Sequence, residues 1–211
     1  MRRHLIGVSI LAGLALLGGC SSYLPTEYYL IRVPPVPAAE AEPLPLRVDV
    51  SAIRAPLRYQ NEMVFRRGKY QVGFYEQSRW AELPSEMVRR ALIDALNQSG
   101  LFARVDLIGQ NPEADLYLQA ELESFDQVID GKDIRASFSL LIEAVRTDTG
   151  APSWSCRAAA EVPQEGKGRL AAAMSQAVGE ALGKAIAEMG RSEALRSLPG
   201  KPAGEEKLRG D

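Results

Sequence analysis

The sequence has very little histidine and cysteine, and this scarcity excludes most catalytic chemistry. Among 211 residues there is one histidine, His4, and there are two cysteines, Cys20 and Cys156. Because His4 lies in a leader that we expect to be removed, the mature protein is predicted to lack Ser-His-Asp and Cys-His arrangements and histidine-based zinc sites. We therefore expect no metal and no cofactor. We expect Cys20 to be covalently modified, which leaves Cys156 without a partner for an internal disulfide. The fold must therefore depend on packing.

Long apolar runs are scarce too. One such run, residues 5–17, follows the basic start Arg2-Arg3 and is interrupted only by small residues. A membrane-spanning helix needs roughly 20 apolar residues, so this run is too short to be a permanent span. A short apolar run behind positive charges is typical of a secretory signal peptide, which we assign to residues 1–19.

The sequence also lacks an excess of positive charge. It has 25 basic and 27 acidic residues, and removal of residues 1–19 takes away Arg2 and Arg3. A protein that binds nucleic acid normally carries a basic surface that neutralises phosphates. We therefore expect no nucleic acid partner.

The tetrapeptide Leu17-Gly18-Gly19-Cys20 ends the apolar run. It resembles the lipobox of bacterial lipoproteins, which implies lipidation at Cys20 and cleavage between Gly19 and Cys20. Only a thiol is nucleophilic enough there to take a thioether-linked lipid. Each methylene of an acyl chain such as palmitate contributes about 0.8 kcal/mol of binding free energy when it enters a bilayer. Acyl chains on Cys20 would therefore hold the mature chain to a membrane. The alternatives are an ordinary signal peptide with a chance cysteine, or a buried core cysteine.

The residue after the cysteine bears on the choice of membrane. It is Ser21 rather than aspartate. In enteric-type bacteria, aspartate at this position usually retains a lipoprotein in the inner membrane. The resemblance therefore implies an anchor in the outer membrane, on its periplasmic face.

The rest of the chain is predicted to form one domain with tails. Residues 28–33 are rich in aromatic and β-branched residues and predict a short edge strand, and the prolines that follow predict an extended linker. The last residues have little apolar surface to bury and predict a disordered tail. The expected organisation is a signal peptide at 1–19, a lipidated cysteine with tether and linker at 20–45, one domain at 46–191 and a polar tail at 192–211.

Alternation of apolar and polar residues predicts most of the strands in the body. Residues 46–53 are expected to form one strand, residues 62–75 a hairpin around Gly68, and residues 102–107 a short strand. Three further alternating segments between residues 116 and 160 are separated by turn residues and predict an antiparallel meander.

Two segments have the apolar spacing of amphipathic helices. One follows Pro84, which is tolerated in a first helical turn, and the other runs from about residue 168 to 190. Together with the strands they predict an α+β fold, in which an antiparallel sheet carries both helices on one face. The second helix has many small residues, including Gly179 and Gly183, which predict close packing against a sheet. A helix-binding groove is the alternative.

The hairpin concentrates more aromatic and basic residues than any other part of the body. Because a strand shows its two faces alternately, Arg66 must oppose Phe65, and Tyr75 must oppose Phe74. Protein interfaces favour such side chains. The alternative is that the aromatic residues are core and the basic ones a solvated edge that blocks aggregation. The predicted partner-binding residues are Phe65, Arg66, Arg67, Lys69, Tyr70, Phe74 and Tyr75.

Several segments together resemble the ABC-type transport auxiliary lipoproteins, a group that includes the paraquat-inducible auxiliary lipoprotein of enteric bacteria. They are the lipobox, Tyr28-Tyr29-Leu30, Ala55-Pro56-Leu57, Met63-Val64-Phe65-Arg66 and Ser78-Arg79-Trp80-Ala81-Glu82-Leu83-Pro84. Trp80 and Pro84 stand at motif positions. The domain is also similar in outline to the amino-terminal domain of the translocation protein TolB.

The resemblance implies a non-catalytic component of an MCE-type lipid transport system. Its partners would be a periplasmic MCE-domain protein and an inner-membrane ABC transporter or permease. A second copy of the same chain is a further candidate partner. The alternative is an outer-membrane assembly lipoprotein or an activator of a cell-wall enzyme with the same fold. An enzyme using Glu121 and Glu123 is disfavoured, because glycosidase carboxylates normally come from different elements around a cleft. Cys156 is expected to be buried and unreactive.

Overall fold

The computed structural model describes residues 25–165 and 169–200. The predicted signal peptide, Gly19, Cys20 and the last eleven residues lie outside the described residues. Eight strands occur in the described part of the chain. In chain order they are β1 Glu27–Tyr29, β2 Leu44–Arg54, β3 Glu62–Arg67, β4 Gln71–Trp80, β5 Phe102–Leu107, β6 Leu116–Asp130, β7 Asp133–Arg146 and β8 Pro152–Pro163.

The described helices are α1 Pro84–Ser99, α2 Leu170–Arg191 and the short α3 Glu193–Arg196. Helix α1 packs on β2 and β5, helix α2 packs on β7 and β8, and the two helices contact each other. Both therefore cover the same face of the sheet, and the predicted α+β fold is confirmed.

All eight strands belong to one sheet, but that sheet is mixed. The hairpin β3–β4 and the meander β6–β7–β8 are antiparallel, as predicted. The pairs β1–β4, β2–β5, β2–β6 and β3–β6 are parallel, which corrects the prediction of an antiparallel sheet. Alternation shows which side chains face the core, but it carries no information on the direction of a neighbouring strand.

The long strand β6 joins the two halves of the sheet. On one side it pairs with β7 along its whole length, and on the other it pairs first with β2 and then with β3. Its register shifts between Leu122 and Ser124. Before the shift the even-numbered residues face the helices, and after it Phe125 does, so that Asp126 points to the opposite face.

Burial follows the predicted stripes except near irregularities. Leu116, Leu118 and Leu122 are buried in β6, and the alternate residues of β7 from Ala136 to Ala144 are buried as well. In β2, however, Ile53 is buried and Ala52 is exposed, whereas strict alternation with the buried Val48 and Val50 predicts the reverse. The register of β2 with β6 shifts between Val50 and Ile53. After this shift the odd-numbered Ile53, instead of the even-numbered Ala52, points into the core.

The chain between β1 and β2 lies against α2. The backbone N–H of Arg32 donates to Ser175, and a Cβ added to Gly179 would lie 3.2 Å from Pro34. At the far end of the helix, a Cβ on Gly190 would lie 2.8 Å from Cβ of Ala41. The glycines of α2 therefore accommodate this extended segment, residues 30–42, rather than the sheet or a partner helix.

The start of the expected disordered tail is ordered. Helix α3 begins after Ser192, whose side chain accepts a hydrogen bond from the N–H of Leu195. Leu195 is buried, and Leu198 packs against the core. Two leucines, one in the helical turn and one just after it, dock this segment, a signal that its polar composition concealed.

No helix of the described ranges, residues 25–165 and 169–200, is long and apolar enough to cross a membrane.

Candidate interaction surface

The hairpin β3–β4 stands at one end of the sheet and turns through Gly68, whose φ is 57°. A positive φ is a conformation that glycine adopts without strain. Across the hairpin Phe65 pairs with Gly73, and Arg66 pairs with Val72. Phe65 and Arg66 therefore point to opposite faces, as the alternation predicts, and each face has its own environment.

On the helix-side face, the hairpin carries an aromatic pair. The rings of Phe65 and Tyr75 meet edge to face at 5.2 Å, and the guanidinium of Arg67 lies 5.7 Å from the Phe65 centroid. A Cβ on Gly73 would lie 2.3 Å from the Phe65 ring, so the ring packs directly over this glycine and any larger residue would displace it. The Tyr75 hydroxyl donates to the buried Gln127, and desolvation raises the pKa of Tyr75. Both rings are thus half-buried in contacts of their own.

On the other face, Arg66 is bound to a buried carboxylate. Its Nε donates to Oδ1 of Asp126 at 2.9 Å, and the hydroxyl of Tyr59 donates to Oδ2 at 2.6 Å. The guanidinium of Arg58 lies over the Tyr59 ring, 4.5 Å from the ring centroid. Burial raises the pKa of Tyr59, and the bond to Asp126 adds to the rise. Arg66 is therefore occupied within the protein and is a poor candidate for a partner contact.

The remaining hairpin candidates are exposed. Tyr70 is 87% exposed and Phe74 is 50% exposed, and Val72 beside them is exposed as well. Arg67 and Lys69 are also exposed, and Nζ of Lys69 lies 5.6 Å from the Tyr70 centroid. The structure thus divides the predicted set into three half-buried residues and four exposed ones.

The outer edge of β4 is largely unpaired within the described chain. Strand β1 pairs with it only over Ser78–Trp80, which leaves Gln71–Gln77 with no strand on that side. Two other strands, β5 and β8, also lie at open edges of the described sheet. Strand β5 is short and exposes the ion pair of Arg104 with Asp106, and β8 has prolines at both ends.

Such features protect an edge from pairing with another chain. Residues 71–77 have only Glu76 as a charged residue and no proline, while Val72 and Phe74 are exposed. This segment is therefore the least protected of these edges.

The motif positions Trp80 and Pro84 are packing residues. Trp80 is buried, with its ring 5.0 Å from that of Phe125 in an edge-to-face contact. Pro84 is buried as the first residue of α1. Their side chains hold the end of β4 and the start of α1 in the core, rather than presenting a surface.

The two glutamates considered for catalysis are held in ion pairs on an exposed strand face. Glu121 lies 3.5 Å from Arg54, and Glu123 accepts hydrogen bonds from Arg157 and Ser139, both at 2.7 Å. The Arg157 bond, helped by that of Ser139, lowers the pKa of Glu123. Nor does the described part of the chain place three or more His, Cys, Asp or Glu side chains where they could hold a metal ion.

Sequence reasoning missed Tyr59 and Asp126, the partners of Arg66. The available signal is local: Leu116–Leu122 alternates regularly, whereas Ser124-Phe125-Asp126 breaks the alternation and places an aspartate where the old phase requires an apolar residue. A broken phase inside a long strand indicates a bulge. It does not identify the loop that covers the displaced side chain.

Comparison with known proteins identifies relatives of this architecture. A family model described as an ABC-type transport auxiliary lipoprotein component matches residues 28–187. The crystal structure of a DUF330-family protein from Xanthomonas campestris is 17% identical, with a TM-score of 0.70 over 77% of this chain and 94% of that one. A second structure, of a protein described as uncharacterized, is 13% identical, with a TM-score of 0.60 over 80% and 98%. No curated protein matches.

Proposed function

The chain belongs to the family of ABC-type transport auxiliary lipoproteins, and from this membership we propose that it is a non-catalytic docking component of an MCE-type lipid transport system. In this proposal Cys20 carries the lipid and anchors the domain to the periplasmic face of the outer membrane. The domain receives a periplasmic MCE-domain protein whose inner-membrane counterpart is an ABC transporter or permease.

The observation that carries the docking role is the open edge of β4. An unpaired strand edge offers a row of backbone donors and acceptors, and an added strand from a partner satisfies them. Val72 and Phe74 would contribute the apolar contact that such a partner strand buries. Arg67 flanks this edge, and Phe65 and Tyr75 support it from behind.

The chain's own tether is a poor occupant for this edge. The carbonyl of Tyr29 accepts a hydrogen bond from the N–H of Ala81, so the odd-numbered residues of β1 turn their backbone groups toward β4. Continuing that pairing would require a donor at Pro25, and proline has none. In this proposal residues 71–75, which pair with no described residue on this side, receive a strand of another chain.

Capture of the MCE-domain protein tests this role. Lipidated full-length protein, purified in detergent, should retain the MCE-domain protein of the same cell from solubilised membranes. The double variant Val72→Ser/Phe74→Ser should lose most of this capture. Leu57→Ser, which changes a residue that is 88% exposed and lies in the loop after β2, outside the hairpin strands, is the matched control and should capture normally.

The outcomes distinguish the MCE docking role from the alternative role as activator of a cell-wall enzyme. Normal capture by the folded double variant would exclude the β4 edge as the contact. Retention of a cell-wall synthase in place of the MCE-domain protein would favour the enzyme-activator alternative. The anchor is tested separately, since Cys20→Ala should abolish labelling by a radioactive fatty acid and release the protein from the membrane.

A further inference from the structure

We propose that the tip of the hairpin, residues 67–70, rests on the lipid headgroups of the membrane that holds the anchor. This inference rests on the proposed lipidation of Cys20 and adds a second membrane contact to it. It assigns Arg67, Lys69 and Tyr70 to the bilayer, and it leaves Val72 and Phe74 on the β4 edge for the protein partner.

The direction of β1 is the first step. Strand β1 runs parallel to β4, with Glu27 opposite Ser78 and Tyr29 opposite Trp80. The chain therefore enters β1 from the side on which β4 begins, which is the side of the hairpin turn. The first described residues of the tether and the hairpin tip therefore lie toward the same end of the sheet.

The length of the tether is the second step. Cys20 precedes Glu27 by seven residue steps, which span at most about 24 Å at roughly 3.4 Å per residue. Along β4, Ser78 is also seven steps from Gln71, which adjoins the turn. Even a fully extended tether therefore reaches only the level of the hairpin tip. With β4 along the membrane normal, the tether is too short to hold the tip away from the surface.

The chemistry of the tip is the third step. Tyr70 is almost fully exposed, and Arg67 and Lys69 are exposed beside it. From residue 67 to 75 there is no acidic residue. Tyrosine is favoured at the headgroup level of membranes, and lysine and arginine are attracted to anionic lipids. The neighbouring turn between β6 and β7 adds Lys132, although Asp130 and Asp133 also lie there, the latter bound to Arg135.

A second contact has a physical consequence for the anchor. A lipid chain on a tether leaves the domain free to rotate, whereas a basic and aromatic tip fixes one end of the sheet against the surface. The open edge of β4 then lies close to the membrane surface, where a partner that delivers lipid would dock.

Depth-dependent quenching tests the contact in the full-length, lipidated protein. A fluorophore is attached at Gln71→Cys, next to an intact tip, or at Thr149→Cys in the exposed turn at the opposite end of β7. Each protein is reconstituted into vesicles of phosphatidylethanolamine with a minority of phosphatidylglycerol, some of whose headgroups carry a quencher. We expect severalfold stronger quenching at position 71 than at 149. Adding Lys69→Glu and Tyr70→Ser should remove most of the difference, whereas Lys184→Glu, an exposed charge on α2, should not.

The results distinguish failure of this inference from failure of the anchor. Protein that carries lipid and floats with the vesicles, but shows equally weak quenching at both positions, would overturn the tip contact alone. Shielding of the probe at position 71 only after addition of the MCE-domain protein would overturn it too, by making the tip a protein contact. Protein without lipid by mass spectrometry would overturn both proposals.

Discussion

The phenol of Tyr59 donates a 2.6 Å hydrogen bond to Oδ2 of Asp126, and both side chains are almost completely buried on the sheet face opposite the long helices. Tyr59 belongs to the loop after β2, and Asp126 follows the bulge of β6. Because Arg66 of the hairpin binds the other carboxylate oxygen, a single aspartate connects the loop, the central strand and the candidate surface.

Removal of this carboxylate should destabilise the fold. In Asp126→Ala the buried Tyr59 hydroxyl loses its short hydrogen bond and keeps only the longer one to the Glu123 carbonyl at 3.4 Å, and Arg66, which is partly exposed, loses its counter-ion. We expect a loss of about 2 to 3 kcal/mol in the free energy of unfolding. Urea denaturation measures it. Glu121→Ala, which removes an exposed pair with Arg54 at 3.5 Å, should change stability by less than about 0.5 kcal/mol. Equal effects of the two variants would refute the role assigned to Asp126.

The same hydrogen bond predicts a loss of stability in alkali. Burial, and next the bond to Asp126, raise the pKa of Tyr59, so the folded state holds this proton more tightly than the unfolded state. Its contribution is complete below the unfolded tyrosine pKa of about 10 and is lost as the pH rises through the folded value. In Tyr59→Phe the decline of unfolding free energy above about pH 10 should be shallower, though not absent, since burial also raises the pKa of Tyr75. Identical slopes in the variant and the parent would contradict this.

The outline of this fold was predictable because each element carries its own signal. Apolar spacing located α1 and α2, and alternation located the hairpin and the meander. The parallel pairs were not predictable in this way. Strands β2, β5 and β6 are brought together by long connections, and the apolar pattern of a strand does not show which strand lies beside it or in which direction that strand runs. Likewise Arg66 has the composition of an interface residue, and only the position of Asp126 shows that it is already bound.

The glycines of α2 offer a test with opposite signs. A Cβ on Gly183 would make ordinary contact with Val36 at 3.8 Å, so Gly183→Ala should stabilise the protein by roughly 0.5 to 1 kcal/mol through helix propensity. A Cβ on Gly190 would lie 2.8 Å from Cβ of Ala41, and Gly190→Ala should cost about 1 to 3 kcal/mol. Thermal denaturation of both variants decides whether the segment of residues 30–42 is packed as described. The same sign for both would show that it is not.

Cys156 should be inert in the folded protein. It is free and buried on β8, and desolvation, followed by the negative charge of Glu188, raises the pKa of its thiol to about 12. Since the thiolate is the reactive form, a maleimide reagent at neutral pH should modify the native protein very slowly and the urea-unfolded protein quickly. Comparable rates in the two states would show that the thiol is accessible in the native fold.

Charge reversal within the hairpin should separate structural from surface residues. Arg66→Glu places a carboxylate against the buried Asp126, which removes the ion pair and adds a repulsion, so we expect a loss of at least about 2 kcal/mol in the free energy of unfolding. Arg67→Glu and Lys69→Glu change exposed charges and should each alter it by less than about 0.5 kcal/mol.

The matched rescue is the double variant Arg66→Met/Asp126→Leu, in which the buried carboxylate and its partly exposed partner are both replaced by apolar groups. It should regain part of the stability that Arg66→Glu loses, but not all of it, because the Tyr59 hydroxyl keeps only its longer hydrogen bond to the Glu123 carbonyl. Urea denaturation of these four variants and of the parent protein gives the comparison. If Arg66→Glu were as stable as Arg67→Glu, Arg66 would be a free surface residue, and it would return to the set of candidates for partner binding.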